Sequence, residues 1–339
     1  MKKIGIGIIG LGYIGMVHLR NSMKLANVHL VGVSDLSRRA LREARNAGVE
    51  KTFTNYKELL KDDEICSVVI ALPTYLHASC VRDAAEAHKH IFLEKPIARN
   101  VAEAKEVISV THRNSVELMI GYPLRFNKAM IRLKEQIRSG TLGDVEVAYA
   151  TFVDSGPFKH RTQDYAPSPV PEWWFNKELT GGGALVDLGS HMINLLRWYF
   201  GEITDIKGCV GYRFNMDFED RATCLTRFET GTLAVINVGW FSQVRQQKVE
   251  LFGTVKHAMA NDVPPPRVSA AIQMLTMGTT VFWRPYVDEL QYFVNCILCD
   301  KHPCPTGNDG LKDIEAIELA YENPILSLPV NETPKFKIE

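Results

Sequence analysis

An apolar run, Ile4–Ile9, leads straight into Gly10-Leu11-Gly12-Tyr13-Ile14-Gly15, and this junction constrains the chain more than any other segment. A strand that ends in three glycines at this spacing and continues as a helix aims backbone amides at a helix N-terminus. Phosphate oxygens are stabilised there by free N–H groups and the helix dipole. Gly10 permits the tight turn, Gly12 lets a pyrophosphate approach the backbone, and Gly15 lets helix and strand pack closely, with Tyr13 and Ile14 in the same cofactor-binding loop. The next apolar run, Val28–Val33, continues into Ser34-Asp35, about 20 residues beyond the last glycine, where a carboxylate accepts hydrogen bonds from the adenosine ribose hydroxyls. The charge of Asp35 opposes a 2′-phosphate and favours NAD over NADP. Arg38 and Arg39 pull the other way as a phosphate clamp, with Arg39 the nearer candidate for the cofactor, although a solvated helix face also accounts for both. Asp35 has a competing role as N-cap of the helix that begins near Ser37.

Three further strand-length runs follow, Ser67–Leu72, Ile91–Leu93 and Val116–Ile120, with amphipathic stretches such as Ser37–Ala47 and Ser79–Ala87 among them. Alternation of this kind predicts βαβ units around a parallel sheet. The 339 residues exceed what such a sheet needs, and two domains are expected, 1–122 and 123–339. Lys plus Arg and Asp plus Glu both number 39, so no net field gathers nucleic acid or an anionic membrane surface. No apolar run reaches the ~18 residues of a membrane span. Met1–Gly15 carries two lysines before its apolar run, as a secretory signal does, but the glycine pattern interrupts it and no small-residue cleavage site follows. A cytoplasmic chain is expected, and its seven cysteines, an odd number, argue for free thiols.

Two constellations carry chemistry. Phe92-Leu93-Glu94-Lys95-Pro96 sets a lysine at the carboxyl end of the fourth run, where open α/β sheets bind ligands; in isolation, Lys95 paired with Glu94 at the surface explains it as well. Further on, Gly181-Gly182-Gly183 opens an apolar segment that contains Asp187 and His191. Four residues apart on a helix, these two share a face. A surface ion pair does not explain why the segment around them is so apolar.

The glycine-rich start, Asp35, Pro73-Thr74-Tyr75-Leu76-His77, Glu94-Lys95-Pro96, and the Gly181–His191 segment resemble, in order, the Gfo/Idh/MocA oxidoreductases, which include inositol dehydrogenases, glucose-fructose oxidoreductase and many sugar dehydrogenases. The likeness runs on through Asp309-Gly310-Leu311 and Ala320-Tyr321-Glu322-Asn323. It implies an α/β Rossmann N-terminal domain and an α+β C-terminal domain with a large, mostly antiparallel open sheet, for substrate binding and oligomerisation, with the last helix able to pack back on the first domain. Alternating runs at Val145–Val153, Ile206–Phe214, Ala222–Phe228, Gly231–Trp240 and Lys248–Phe252 agree with that sheet.

By the same resemblance Pro73, Thr74, His77, Glu94 and Lys95 join the cofactor set, the Lys95–Pro96 bond is cis, and the protein is a homodimer or homotetramer. Lys95, Asp187 and His191 surround the reacting hydroxyl of a sugar, sugar acid or cyclitol. A histidine titrates near neutrality, whereas a lysine needs burial or a neighbouring cation to act as a base; the resemblance implies one or the other in different members, and His191 is assigned as base with Lys95 as the alternative. Lys95 polarises the oxygen and Asp187 orients substrate and imidazole. One departure is Asn194, where many members carry a second aspartate.

The stretch Ser155–Gly181 is rich in ligand-like groups: Phe158, His160, Arg161, Asp164, Tyr165, Trp173 and Trp174. Arg161 and Trp174 are taken as substrate contacts, with an oligomer contact of equal weight, and Tyr286 is a further candidate. Cys296, Cys299, His302 and Cys304 have metal-like spacing, but two lie on an apolar helix and two in a loop, so no metal is expected. Two other functions fit the same features: a nucleotide-sugar (UDP-sugar) 3-dehydrogenase, and a dinucleotide-binding regulator without turnover. The presence of Lys95, Asp187 and His191 favours an enzyme.

Overall fold

The computed structural model describes residues 3–157, 171–214, 216–261 and 284–325. These residues form two compact units, one from 3–128 with 284–314 and the other from 129–261 with 315–325. The chain therefore leaves the first unit six residues later than the expected 122/123 boundary, and residues 284–314 group with the first unit instead of the second.

The first unit is built on a six-stranded sheet of β1 (Ile4–Ile9), β2 (Val28–Ser34), β3 (Lys51–Phe53), β4 (Ser67–Ile70), β5 (His90–Glu94) and β6 (Leu118–Gly121). Its order is β3-β2-β1-β4-β5-β6 and every pairing is parallel. Order reverses between β1 and β4, which opens a crevice at the carboxyl ends of the strands. The helices are α1 (Tyr13–Ser22), α2 (Arg38–Asn46), α3 (Tyr56–Leu60), α4 (His77–Glu86) and α5 (Val101–Arg113). Side-chain oxygens of Ser37, Asn55 and Asn100 cap α2, α3 and α5 by accepting amides of their first turns, each cap stabilising its helix by ~1 kcal/mol. Short β3 was absent from the sequence reading, because three residues, all half-buried, carry no periodicity.

The later segment adds α9 (Arg284–Leu298), which follows α6 (Lys128–Arg138), α7 (Lys177–Thr180) and α8 (Ser190–Phe200) in chain order. Leu290, Phe293 and Val294 of α9 join Ile6, Ile8, Val33, Val69 and Phe92 in one core, and the Phe92 and Phe293 rings meet edge to face at 5.7 Å.

The second unit is a sheet of β7 (Val145–Val153), β8 (Ile203–Gly211), β9 (Arg221–Phe228), β10 (Leu233–Gly239), β11 (Gln246–Gly253) and β12 (His257–Asn261), in the order β12-β11-β7-β10-β9-β8. Only β7 and β10 pair in parallel. Along β7, β9, β10 and β11 burial alternates residue by residue, as a half-covered sheet requires. Ala148, Ala150, Phe152, Cys224, Ile236 and Leu251 are buried, as are Met192, Ile193, Leu195 and Leu196 of α8. The opposite face carries Tyr149, Leu225, Leu233, Phe252 and Met259, each 42–54% exposed. Helix α10 (Gly307–Glu322) contributes to the first unit through Ile314 and to the second from Glu315. Among the described residues no helix is long and apolar enough to cross a membrane.

Candidate active site

In the first unit the glycine turn has the shape that a dinucleotide needs. A Cβ on Gly15 would stand 1.9 Å from the Gly10 carbonyl oxygen, so helix and turn pack as closely as backbones can; a Cβ on Gly12 would meet nothing within 4 Å, leaving open space over the turn. The N-cap of α1 is Gly12, which brings no side chain of its own to the amides of the first turn, so phosphate oxygens can take them up. Asp35 Oδ2 accepts from the Leu11 amide at 2.6 Å and Oδ1 from the Ser37 amide at 2.6 Å. The carboxylate thus ties the end of β2 to the glycine turn, and each oxygen keeps lone-pair capacity for a ribose hydroxyl. Capping of α2 falls to Ser37 itself. These residues fit a dinucleotide. Arg39 is turned to its own helix, pairing with Glu43 at 3.0 Å on an exposed face.

Pro73 and Thr74 sit in the short 3-10 turn that follows β4 and precedes α4. His77 is buried, with Nδ1 2.9 Å from the Pro96 carbonyl and Nε2 2.9 Å from that of Leu72. Both ring nitrogens hold loops together, and burial lowers its pKa against those carbonyls and the Glu94 charge. Glu94 is turned inward to His18, Nε2 to Oε1 2.7 Å. Lys95, half-buried, follows it at the strand end, and the Lys95–Pro96 bond is cis. Tyr286, also half-buried, has its ring 6.2 Å from that of His18.

In the second unit Asp187 and His191 lie on one continuous helical run whose first part, Leu185–Gly189, is a single π-helical stretch continuing into α8. Such wide turns cluster at functional sites. Its start is held from afar. Glu219 Oε1 accepts from the Gly183 amide at 3.0 Å, the Leu185 amide at 2.9 Å and the Tyr321 hydroxyl at 2.8 Å, while its backbone carbonyl accepts the Ala184 amide at 3.1 Å. A Cβ at Gly183 would stand 1.7 Å from that carbonyl, so only glycine fits. Burial pushes the Glu219 carboxyl up, against the bonds from Leu185, Tyr321 and Gly183.

Asp187 is half-buried and accepts the Trp240 indole N–H at 3.3 Å; Trp240 in turn lies 6.4 Å from the Trp174 ring, which stands 5.5 Å from that of Trp173. His191, 8% exposed, has its ring 5.7 Å from that of Phe152, over which the Arg245 guanidinium sits at 4.9 Å. Asn194 is buried on the same helix. Arg161, Phe158, His160, Asp164 and Tyr165 lie outside the described residues. Sequence reasoning missed Glu219 and the contact of Trp240 with Asp187; only the invariance of shape demanded by three consecutive glycines hinted at a close backbone approach.

All seven cysteines are free. Cys296 is buried, Cys304 Sγ lies 3.6 Å from Arg125 Nη1, and His302 Nδ1 faces the Glu117 carboxylate at 3.0 Å. Among the described residues, the group of potential metal donors that does converge is His18, Glu94 and Glu289.

A parallel sheet of this order with a glycine turn and a carboxylate after β2 defines an NAD-binding Rossmann domain. Family comparison agrees: residues 4–122 match the oxidoreductase-family NAD-binding Rossmann model and residues 130–258 the Gfo/Idh/MocA C-terminal domain. The chain belongs to the Gfo/Idh/MocA family. It is an enzyme of the oxidoreductase class with an NAD-binding Rossmann domain. It is 28% identical over 321 residues to a myo-inositol 2-dehydrogenase of Thermotoga maritima, covering 90% of this chain and 91% of that one. It is 27% identical over 328 residues to the scyllo-inositol 2-dehydrogenase (NAD(+)) of Bacillus subtilis, with 92% of each covered. In fold it is similar to scyllo-inositol dehydrogenase of Lactobacillus casei, solved with NAD(H) and scyllo-inositol, at a TM-score of 0.78, 22% identity and coverage of 95% and 97%.

Proposed function

We propose that this enzyme oxidises a secondary hydroxyl of a cyclitol or small sugar, with His191 as the base, Lys95 polarising the reacting oxygen and Asp187 orienting the substrate. The single observation that carries the reading is the Asp187 carboxylate held by Trp240 one helical turn before the nearly buried His191, a hydroxyl-binding oxygen beside a flat apolar ring. NAD supplies the hydride acceptor. The residues supply the rest: His191 takes the hydroxyl proton as the carbon is oxidised, a task worth ~10²–10⁴-fold in rate. Lys95 stabilises the negative charge that develops on oxygen.

Gly10, Gly12, Tyr13, Ile14, Gly15, Asp35, Pro73 and Thr74 are proposed to hold the dinucleotide, His77 and Glu94 to brace its loops from within, and Trp174 and Tyr286 to line the substrate. The 1–122 segment and its Asp35 favour NAD over NADP. The exposed apolar row on the sheet of the second unit supports a homodimer or homotetramer, since monomers seldom leave such a patch uncovered. The free thiols support a cytoplasmic setting.

Turnover measured across inositols, aldoses, sugar acids and nucleotide sugars, with both NAD and NADP, tests the reading. NAD reduction with an inositol or free sugar is expected; turnover of UDP-sugars alone would replace it.

A further inference from the structure

Behind the strand end that carries Lys95 lies a polar cluster with no part in the chemistry above. His18 comes from the middle of α1, Glu94 from the last position of β5 and Glu289 from α9. They are 0%, 7% and 0% exposed, and one donor atom of each lies within 4.8 Å of the others. His18 Nε2 and Glu94 Oε1 are 2.7 Å apart, whereas both Glu289 oxygens and His18 Nδ1 have no hydrogen-bond partner among the described residues. The surroundings are aromatic: the His18 ring is 5.1 Å from Phe92 and 6.2 Å from Tyr286, and Phe293 packs on Phe92.

Two carboxylates and an imidazole in such a place need either a cation or protons, because an unpaired buried charge is strongly disfavoured. Ligands of one tetrahedral metal at ~2.0–2.1 Å stand about 3.3 Å from one another. The 2.7 Å between His18 and Glu94 is instead a hydrogen-bond separation. We propose that His18, Glu94 and Glu289 form a buried proton-sharing triad that locks the end of β5 against α1 and so positions Lys95, the next residue. One proton lies between His18 Nε2 and Glu94 Oε1, and a second stays on Glu289. Burial, and then the charge of Glu94, push the Glu289 carboxyl well above its ordinary range. Among the described residues Glu94 on β5 and His18 on α1 stand beside it, and Tyr286 on α9 lies against the His18 ring; the Glu94 charge also acts on His77 of α4. The positioning role rests on the reading of Lys95 given above; proton storage does not.

The test uses the full-length protein with Glu289→Gln, a neutral side chain of the same shape, and Glu94→Gln. Infrared difference spectra of the parent at neutral pH should show the carbonyl band of a protonated carboxylic acid, absent in E289Q. The sign of the pH effect follows from linkage: the folded parent keeps a proton that the unfolded chain loses above about 4.3, so its stability falls as pH rises from there until the folded group titrates. E289Q has no such proton, so its melting temperature should rise relative to the parent between pH 5 and 8. E94Q should lower kcat at least tenfold and shift its pH profile. A missing band, or a melting-temperature gap that does not change with pH, overturns proton storage. One equivalent of Zn²⁺ bound in a Glu289-dependent way overturns it in favour of a metal site. An unchanged kcat pH profile in E94Q overturns the positioning role. If no polyol is turned over at all, the reading of Lys95 fails while the spectrum and the melting data still decide the triad.

Discussion

Replacing Glu219 by alanine should cost the second unit about 3–5 kcal/mol, and the figure can be built from its contacts. The carboxylate is 3% exposed and accepts the Gly183 amide, the Leu185 amide and the Tyr321 hydroxyl. Alanine leaves three buried donors without an acceptor, each worth ~1–3 kcal/mol when unmet. Water entering the vacated space recovers part of the upper limit. Tyr321→Phe removes one of the same bonds but no acceptor from the amides, so ~1–2 kcal/mol is expected. Against a total stability of ~5–15 kcal/mol the first loss is large and the second modest.

Four of the five tryptophans, Trp173, Trp174, Trp198 and Trp240, belong to the second unit, so urea unfolding followed by tryptophan fluorescence reads the affected part. Calorimetric NAD binding checks that the first unit is intact. In a partly stabilised background, Glu219→Ala should also lower kcat about tenfold, because the π-helical stretch that presents Asp187 loses its anchor. An alanine variant within ~1 kcal/mol of the parent, or a phenylalanine variant as costly as the alanine one, would refute the assignment of Glu219 as the cap of this helix.

Alanine at Lys95, Asp187 or His191 should each lower turnover by ~10²-fold or more with NAD affinity within a few-fold, and the Lys95, His191 double variant should be little worse than the poorer single one. Calorimetry should find NAD bound more tightly than NADP, with Asp35→Ser narrowing the difference; tighter NADP binding in the parent would remove the argument from Asp35. Burial alone would raise the Asp309 carboxyl, but the Arg125 charge and the Thr306 bonds outweigh it and hold it below its ordinary value. Its stabilising contribution is therefore present above the unfolded pKa of about 3.9 and lost as pH falls below it. The stability gap between the parent and Asp309→Asn, measured by urea unfolding from pH 6 down to pH 3, should shrink; a constant gap refutes the pairing.

What the linear order of residues determined is local. The six-residue run Ile4–Ile9, the glycine spacing and the amphipathic helices are written in neighbours, because backbone geometry repeats over two residues in a strand and 3.6 in a helix. Asp35 after β2, Lys95 after β5, and the four-residue step from Asp187 to His191 were legible for that reason, since each is placed by the element it sits on. The strands β3 and β12 were not: Lys51–Phe53 is too short, and His257–Asn261 lacks the apolar runs that mark its neighbours.

Tertiary structure alone decided the partners. Glu219 meets the glycine run across 34 to 36 residues, Trp240 meets Asp187 across 53, and His18 meets Glu94 across 76. A carboxylate reads the same in sequence whether it faces water, a ribose or a helix start. Its role is set by which donors the sheet pairings bring to it and by how much water remains there, and those quantities exist only once distant segments have packed.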